Sequence, residues 1–232
     1  MLKKIGMFTL FSCVSAMSFA SVETLKSNLS QQYPNIQVTN IQPTAMKGLY
    51  SASLDNQIIY LDESAQHMFV GSMVRLKDQK NLTKDLVIQQ NTVDWKQLPF
   101  KDAIKTVKGN GKRELAVFSD PNCPYCKKLE AELDKLNDVT LYTFIYPLKA
   151  QSVAVSKSVW CDANPAYAWK NLLQKHVQPQ EKSCANPIER NLQLGRKLGV
   201  DGTPTLIFGN GFKMTGARTA EEIQVIWKEL GL

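Results

Sequence analysis

The chain has 232 residues, of which 44% are hydrophobic, and a formal charge of +7. That length suits one or two domains, and that hydrophobic share builds a core without reaching the level of a membrane protein. The basic excess is modest, and no Lys/Arg run is interleaved with aromatics, so a nucleic-acid partner is disfavoured and solubility is the simpler role for the charge.

Met1–Ala20 reads as a secretory leader. Lys3 and Lys4 form the charged region, Ile5–Val14 the apolar region, and Ser18-Phe19-Ala20 a small-x-small cleavage site. A lipoprotein reading of Cys13 is disfavoured, because Phe11 and Ser12 precede it poorly and the apolar region would be cut short. Removing the leader takes away two lysines, which brings the charge to +5, and leaves four of the five cysteines. An even cysteine count suits an oxidising compartment.

Residues 21–90 form the first expected domain. Ser21–Gln32 has Val22, Leu25 and Leu29 on one helical side, and Pro34 stops the pattern. From Gly48 to Lys77 short strands follow at Leu49–Leu54, Ile58–Leu61, Met68–Val70 and Met73–Leu76, with turn residues between them. A strand-rich unit this small is marginal as a monomer. Association of two copies through strand edges is one completion; packing on the rest of its own chain is the other. Residues 91–111 are expected as a helical linker carrying Trp95, Leu98, Ile104 and Val107, interrupted at Pro99 and ending in the flexible run 108–112.

Residues 112–232 form the second expected domain. Glu114–Phe118 is a short apolar strand, followed by Ser119-Asp120-Pro121-Asn122-Cys123-Pro124-Tyr125-Cys126-Lys127-Lys128 and a helical pattern of Leu129, Leu133 and Leu136. The C-x-x-C pair therefore lies at a strand-to-helix turn, with Cys123 near the helix N-terminus. The free N–H groups and positive dipole end there stabilise a thiolate. Free cysteine has a pKa of about 8.5, and cysteines in such places reach roughly 3.5–7.5. Pro124 suits the first helical turn, where its missing N–H is not needed. Cys126 is placed to close a disulfide with Cys123 and release a mixed disulfide. The competing readings are a purely structural disulfide, unusual at the start of a helix, and half of a zinc site. Its other half would have to be Cys161 and Cys184, which form no second C-x-x-C.

Val139–Tyr146 reads as a second strand and Ala150–Leu198 as helical. Cys161 and Cys184 fall in the latter stretch and read as a structural disulfide, closing a loop of about 24 residues worth roughly 3 kcal/mol in the chain-entropy model; a second redox pair is the alternative. Gly202-Thr203-Pro204-Thr205 leads into the strand Leu206–Phe208, Asn210-Gly211 signals a hairpin, and Thr219 with Glu222 makes a capping box before the last helix.

With the Phe118–Cys126 segment, Gly202-Thr203-Pro204 and a strand-rich N-terminal segment in hand, the chain resembles thioredoxin-fold proteins, and among them the periplasmic DsbC/DsbG disulfide isomerases. The resemblance implies an α/β thioredoxin-like catalytic domain with a helical insertion, plus a small strand-rich α+β N-terminal dimerisation domain. It implies that Cys123 is the nucleophile and Cys126 the resolving thiol, flanked by Pro124, Tyr125, Thr203 and a cis Pro204, with Thr203 offering its backbone to an extended substrate. It further implies a periplasmic homodimer with chaperone activity, needing no metal or organic cofactor. Its partners would be misoxidised or partly folded proteins and a DsbD-like membrane thiol reductase as electron donor. Pro124-Tyr125 matches the DsbG-type dipeptide, whereas Cys161 and Cys184 match the second cysteine pair of DsbC-type proteins, and the balance lies closer to DsbC. An oxidase or general reductase on the same fold, or a holdase with secondary thiols, are the rivals.

Overall fold

The computed structural model describes residues 14–55 and 57–232, with the side chains of 14–20 excepted. The chain divides into two compact units, one ending at Gln90 and the other running from Asn91 to Leu232. The expected leader lies outside the described residues over 1–13, and its remainder forms the first turns of a helix.

That helix is α1, Val14–Gln32. It is followed by β1 (Thr39–Pro43), β2 (Leu49–Leu54), β3 (Gln57–Asp62) and β4 (Met68–Val70), which form an antiparallel sheet in the order β1-β2-β3-β4. β5 (Val74–Arg75) and β6 (Lys80–Asn81) make a small ladder before α2 (Leu82–Gln90). The alternation of the strands explains the layering. Tyr50 and Ala52 of β2 lie opposite Leu61 and Ile59 of β3, and this face packs on Leu25 and Leu29 of α1. The other face carries Ser51, Ser53, Ile58 and Tyr60, where Ser53 donates to Gln90 Oε1 at 2.7 Å and the Tyr60 hydroxyl meets that of Thr83. A sheet this small thus has a helix on each face.

The segment 91–111, expected as a helical linker, is not one. Asn91–Val93 joins the second unit through Val93 N–H to Gly211 O (2.9 Å) and Lys213 N–H to Asn91 O (2.7 Å). Two short 3-10 turns follow, Trp95–Gln97 and Phe100–Asp102, and then strand β7, Ile104–Lys108. The spacing of Trp95 and Leu98 mimics a helix. Beyond Pro99, however, β-branched Ile104, Thr106 and Val107 favour an extended chain, and burial alternates with period two over β7. Trp95 and Phe100 instead pack against Tyr142, Trp95 edge-on and Phe100 tilted, with the Phe100 and Tyr142 ring centroids 4.3 Å apart.

The remaining elements are β8 (Arg113–Ser119), α3 (Pro124–Lys135), β9 (Val139–Ile145), α4 (Ser152–Trp160), α5 (Pro165–Lys175), α6 (Ile188–Lys197), β10 (Thr205–Phe208), β11 (Lys213–Thr215) and α7 (Ala220–Glu229). Their sheet has the order β11-β10-β8-β9-β7, with β8 and β9 parallel and every other pair antiparallel. β8 and β9 are apolar because both of their faces are covered. Leu115 and Val117 pack with Leu129 and Leu133 of α3 and Trp227 of α7, while Ala116 and Phe118 pack with Phe144, Tyr146 and Val200. The stretch 150–198 is three helices rather than one continuous helical run. His176 ends α5 in the left-handed conformation, and residues 176–187, with Pro179 and Pro187, are irregular. Cys184 lies in that irregular segment.

Candidate active site

Strand β8 delivers the thiol pair. It ends at Ser119, and the turn Asp120-Pro121-Asn122 is closed by the Cys123 N–H donating to the Asp120 carbonyl at 3.1 Å. Cys123 is the N-cap of α3, in extended conformation, with Pro124 at the start of the helix. Its carbonyl accepts the first intrahelical bond, from Lys127 N–H at 3.2 Å. Proline at that place loses no hydrogen bond and presets the helical φ. Cys126 follows on the first turn, facing inward among Trp169, Leu172 and Ile145. Both are free thiols, Cys123 8% exposed and Cys126 1%. Tyr125, between them, is exposed, with the Lys128 ammonium over its ring.

The opposite wall is the loop before β10. The Thr203-Pro204 bond is cis, and the Cys123 thiol donates to the Thr203 carbonyl at 3.2 Å. Burial works against the Cys123 thiolate, but hydrogen bonds from the Thr203 hydroxyl, from the N–H and thiol of Cys126 and from the Tyr125 N–H outweigh it. The Cys123 thiol therefore sits below the ordinary cysteine value. Burial dominates at Cys126 instead. The Ser119 hydroxyl and the Asp120 N–H offset it only in part, the neighbouring Cys123 charge adds to it, and the thiol is pushed up to about 12. The two sulfurs are thus chemically unequal: the outer thiol is shifted toward the thiolate and the inner one away from it. This inequality suits thiol–disulfide exchange, in which the thiolate attacks and the second thiol acts later.

Cys161, at the end of α4, is bonded to Cys184, with their Cα atoms 5.7 Å apart. This bond takes away the half-site that a zinc reading would need. The structure therefore brings Cys123, Pro124, Tyr125, Cys126, Thr203 and Pro204 together and sets Cys161 and Cys184 apart as a pair. Sequence reasoning gives no role to Ser119, Asp120 or Ser152, all buried beside the turn. The available signal is a serine and an aspartate directly after an apolar strand, where a solvated loop would be the ordinary reading.

Comparison with known proteins agrees with this geometry. Residues 100–230 match the thioredoxin-like domain family model, and residues 16–84 match that of the disulfide bond isomerase protein N-terminal domain. The chain is 32% identical over 203 residues to a probable thiol:disulfide interchange protein DsbC of Bordetella parapertussis, covering 87% of this chain and 72% of that one. It is 27% identical to the thiol:disulfide interchange protein DsbC of Salmonella typhimurium, covering 99% and 97%. Among solved structures, a disulfide interchange protein from Neisseria gonorrhoeae superposes with a TM-score of 0.55 at 38% identity, covering 57% of this chain and 97% of that one. The chain thus belongs to the DsbC/DsbG-like thioredoxin superfamily of periplasmic disulfide isomerases, and its chemistry is thiol–disulfide exchange.

Proposed function

We propose that the protein is a disulfide isomerase that corrects wrongly paired cysteines in other periplasmic proteins through its Cys123-Pro124-Tyr125-Cys126 pair. The observation that carries this is the unequal acidity of the two free thiols at the start of α3. The Cys123 thiolate attacks one sulfur of a substrate disulfide. A Cys123–substrate bond forms, and the other substrate sulfur leaves as a thiolate. That thiolate then attacks a second substrate disulfide, and the thiolate released there attacks the substrate sulfur of the mixed disulfide and displaces Cys123, or Cys126 displaces the substrate and forms the Cys123–Cys126 bond. In the second outcome the pair gives two electrons to the substrate, and a DsbD-like membrane reductase would restore them. Once Cys123 is in a mixed disulfide it has no S–H to donate. The Thr203 carbonyl is then free to accept from an extended substrate backbone, a form of strand addition that gives affinity without sequence choice. Cys161–Cys184 would be a structural bond and Met1–Ala20 a cleaved leader.

The N-terminal unit favours isomerase over a plain oxidase. Its sheet has two edges. β1 is disrupted by a register shift between Thr39 and Gln42 and ends in Pro43, which are devices that block edge pairing. β4 is short but carries no bulge, proline or charge: Met68, Phe69 and Val70 are all more than half exposed, beside a shallow groove of about 530 Å³ lined by Met46, Leu49 and Met73. The reading assigns this edge to a second copy of the chain, so that two catalytic domains serve one substrate, with chaperone activity following from the paired arrangement. Refolding of scrambled ribonuclease tests the function. Catalytic recovery of ribonuclease activity by the reduced protein is expected. Oxidation of reduced ribonuclease without rescue of the scrambled form would instead show an oxidase.

A further inference from the structure

Asp120 is a buried carboxylate that the chemistry above leaves unused. It is 1% exposed, and its partners are neutral donors. Four of them converge on it. Oδ1 accepts from Asn122 N–H and from the Ser152 hydroxyl, both at 2.7 Å. Oδ2 accepts from Leu148 N–H at 2.8 Å and Lys149 N–H at 3.2 Å. The Ser152 hydroxyl in turn accepts from Asn122 Nδ2 at 3.1 Å, and Lys149 Nζ reaches the Asn122 carbonyl at 3.3 Å. The carboxylate therefore ties the turn before α3 to the loop before α4. The backbone of the same residue meets both cysteines. Its carbonyl accepts from Cys123 N–H at 3.1 Å, and its N–H faces the Cys126 sulfur.

We infer that Asp120 is the positioning residue for the resolving step, its clamped carboxylate holding its own N–H on Cys126. The inference rests on the exchange reading given above. In that step the Cys126 thiol loses its proton and its sulfur attacks Cys123. The Cys123–substrate disulfide breaks, the Cys123–Cys126 bond forms, and the substrate sulfur leaves with the electron pair and takes up a proton. Negative charge has to develop on a sulfur with almost no solvent. Few groups are available to meet it, and the N–H held by the clamp is one of them. The first attack uses the Cys123 sulfur, whose donors come from Thr203, Cys126 and Tyr125.

Asparagine is a poor replacement. All four of the groups around Asp120 are donors, so an amide NH2 in either oxygen's place faces at least one backbone N–H and leaves it unpaired. The test uses the full chain and a glutathione-labelled model peptide disulfide. Attack is timed in the Cys126→Ser background. Resolution is timed as peptide release from the preformed mixed disulfide with Cys126 present. Asp120→Asn is expected to slow resolution about ten-fold, the scale of losing one hydrogen bond to a charged group, and to leave attack within about two-fold. Ser152→Ala removes one donor without altering the charge, and is expected to slow resolution by roughly three-fold in the same selective way. It decides the matter if Asp120→Asn fails to fold by circular dichroism. Equal slowing of both steps, or no slowing of resolution in a folded variant, overturns the inference. A wild-type protein that fails to exchange at all overturns the exchange reading and this inference with it.

Discussion

At the residue scale the chemistry turns on how two sulfurs three positions apart come to differ. Cys123 takes hydrogen bonds from several donors at the mouth of the site, whereas Cys126 is sealed among apolar side chains. Alkylation of the reduced protein near pH 7 is therefore expected to modify Cys123 and spare Cys126, as read by mass spectrometry of the digested chain. The Thr203 hydroxyl is a named part of that difference. Thr203→Val keeps the shape and removes the donor, so the Cys123 titration is expected to move upward. A hydrogen bond to a charged group is worth about 1.5–3 kcal/mol, and screening at the rim reduces this. The thiolate fraction below the midpoint should fall by several-fold, as measured by thiolate absorbance against pH. An unchanged titration would remove the hydroxyl from the account. Burial of Cys126 also has a stability consequence. Its folded value, pushed up to about 12, lies above the free-cysteine value of about 8.5, so its contribution is fully present below that value and is lost as pH rises from there through the folded value. The thiol pair is legible in the sequence because C-x-x-C at a strand-to-helix junction is a local pattern. Asp120 is not, because its meaning comes from Leu148, Lys149 and Ser152, about thirty positions away, and from burial, which no spacing reveals.

At the scale of elements, local signals with one interpretation are read correctly. Thr219 and Glu222 form the reciprocal capping box at the start of α7, and Asn210-Gly211 turns β10 into β11. The segment 91–111 misleads because its apolar spacing fits a helix as well as a strand. The choice is made by partners remote in sequence, Tyr142 for the aromatics and β9 for Ile104–Lys108. Gly195 is equally silent. It lies on α6 where the helix meets Tyr146, the residue after β9, and a β-carbon there would overlap the Tyr146 ring. That ring is wholly buried, and its hydroxyl donates to the Val200 carbonyl at 3.0 Å, so it has little room to yield. Gly195→Ala gains helix propensity of up to about 1 kcal/mol but overpacks the core, which costs about 1–3 kcal/mol. A net loss of stability is expected in urea unfolding, with Cys123 alkylation unchanged in the folded protein. A stabilised variant would mean that α6 can lift away from the sheet.

At the scale of the whole molecule, the question is what completes the N-terminal unit. Its sheet has four strands, and the core beneath it rests on a handful of side chains, Leu25, Leu29, Tyr50, Ile59 and Leu61 among them. A unit of this size buries a smaller fraction of its surface than a larger domain does and is marginal alone. Of its two edges β1 is blocked, while Met68-Phe69-Val70 offers unpaired backbone and apolar side chains together. A symmetric pair formed there would bring the same patch from each copy face to face, so a single substitution is felt twice. Phe69→Glu places a carboxylate in each half of that contact, where like charges opposed across paired strands are destabilising. Its dissociation constant is expected to rise at least ten-fold in sedimentation equilibrium. The thiols and their donors all belong to residues 91–232, so the variant should keep wild-type Cys123 titration and wild-type reduction of a small disulfide. Recovery of scrambled ribonuclease should fall, because that reaction is the one proposed to need two domains around a single substrate. A variant that remains dimeric would place the interface elsewhere, and one that becomes monomeric yet rescues scrambled ribonuclease at the wild-type rate would separate the isomerase activity from the dimer.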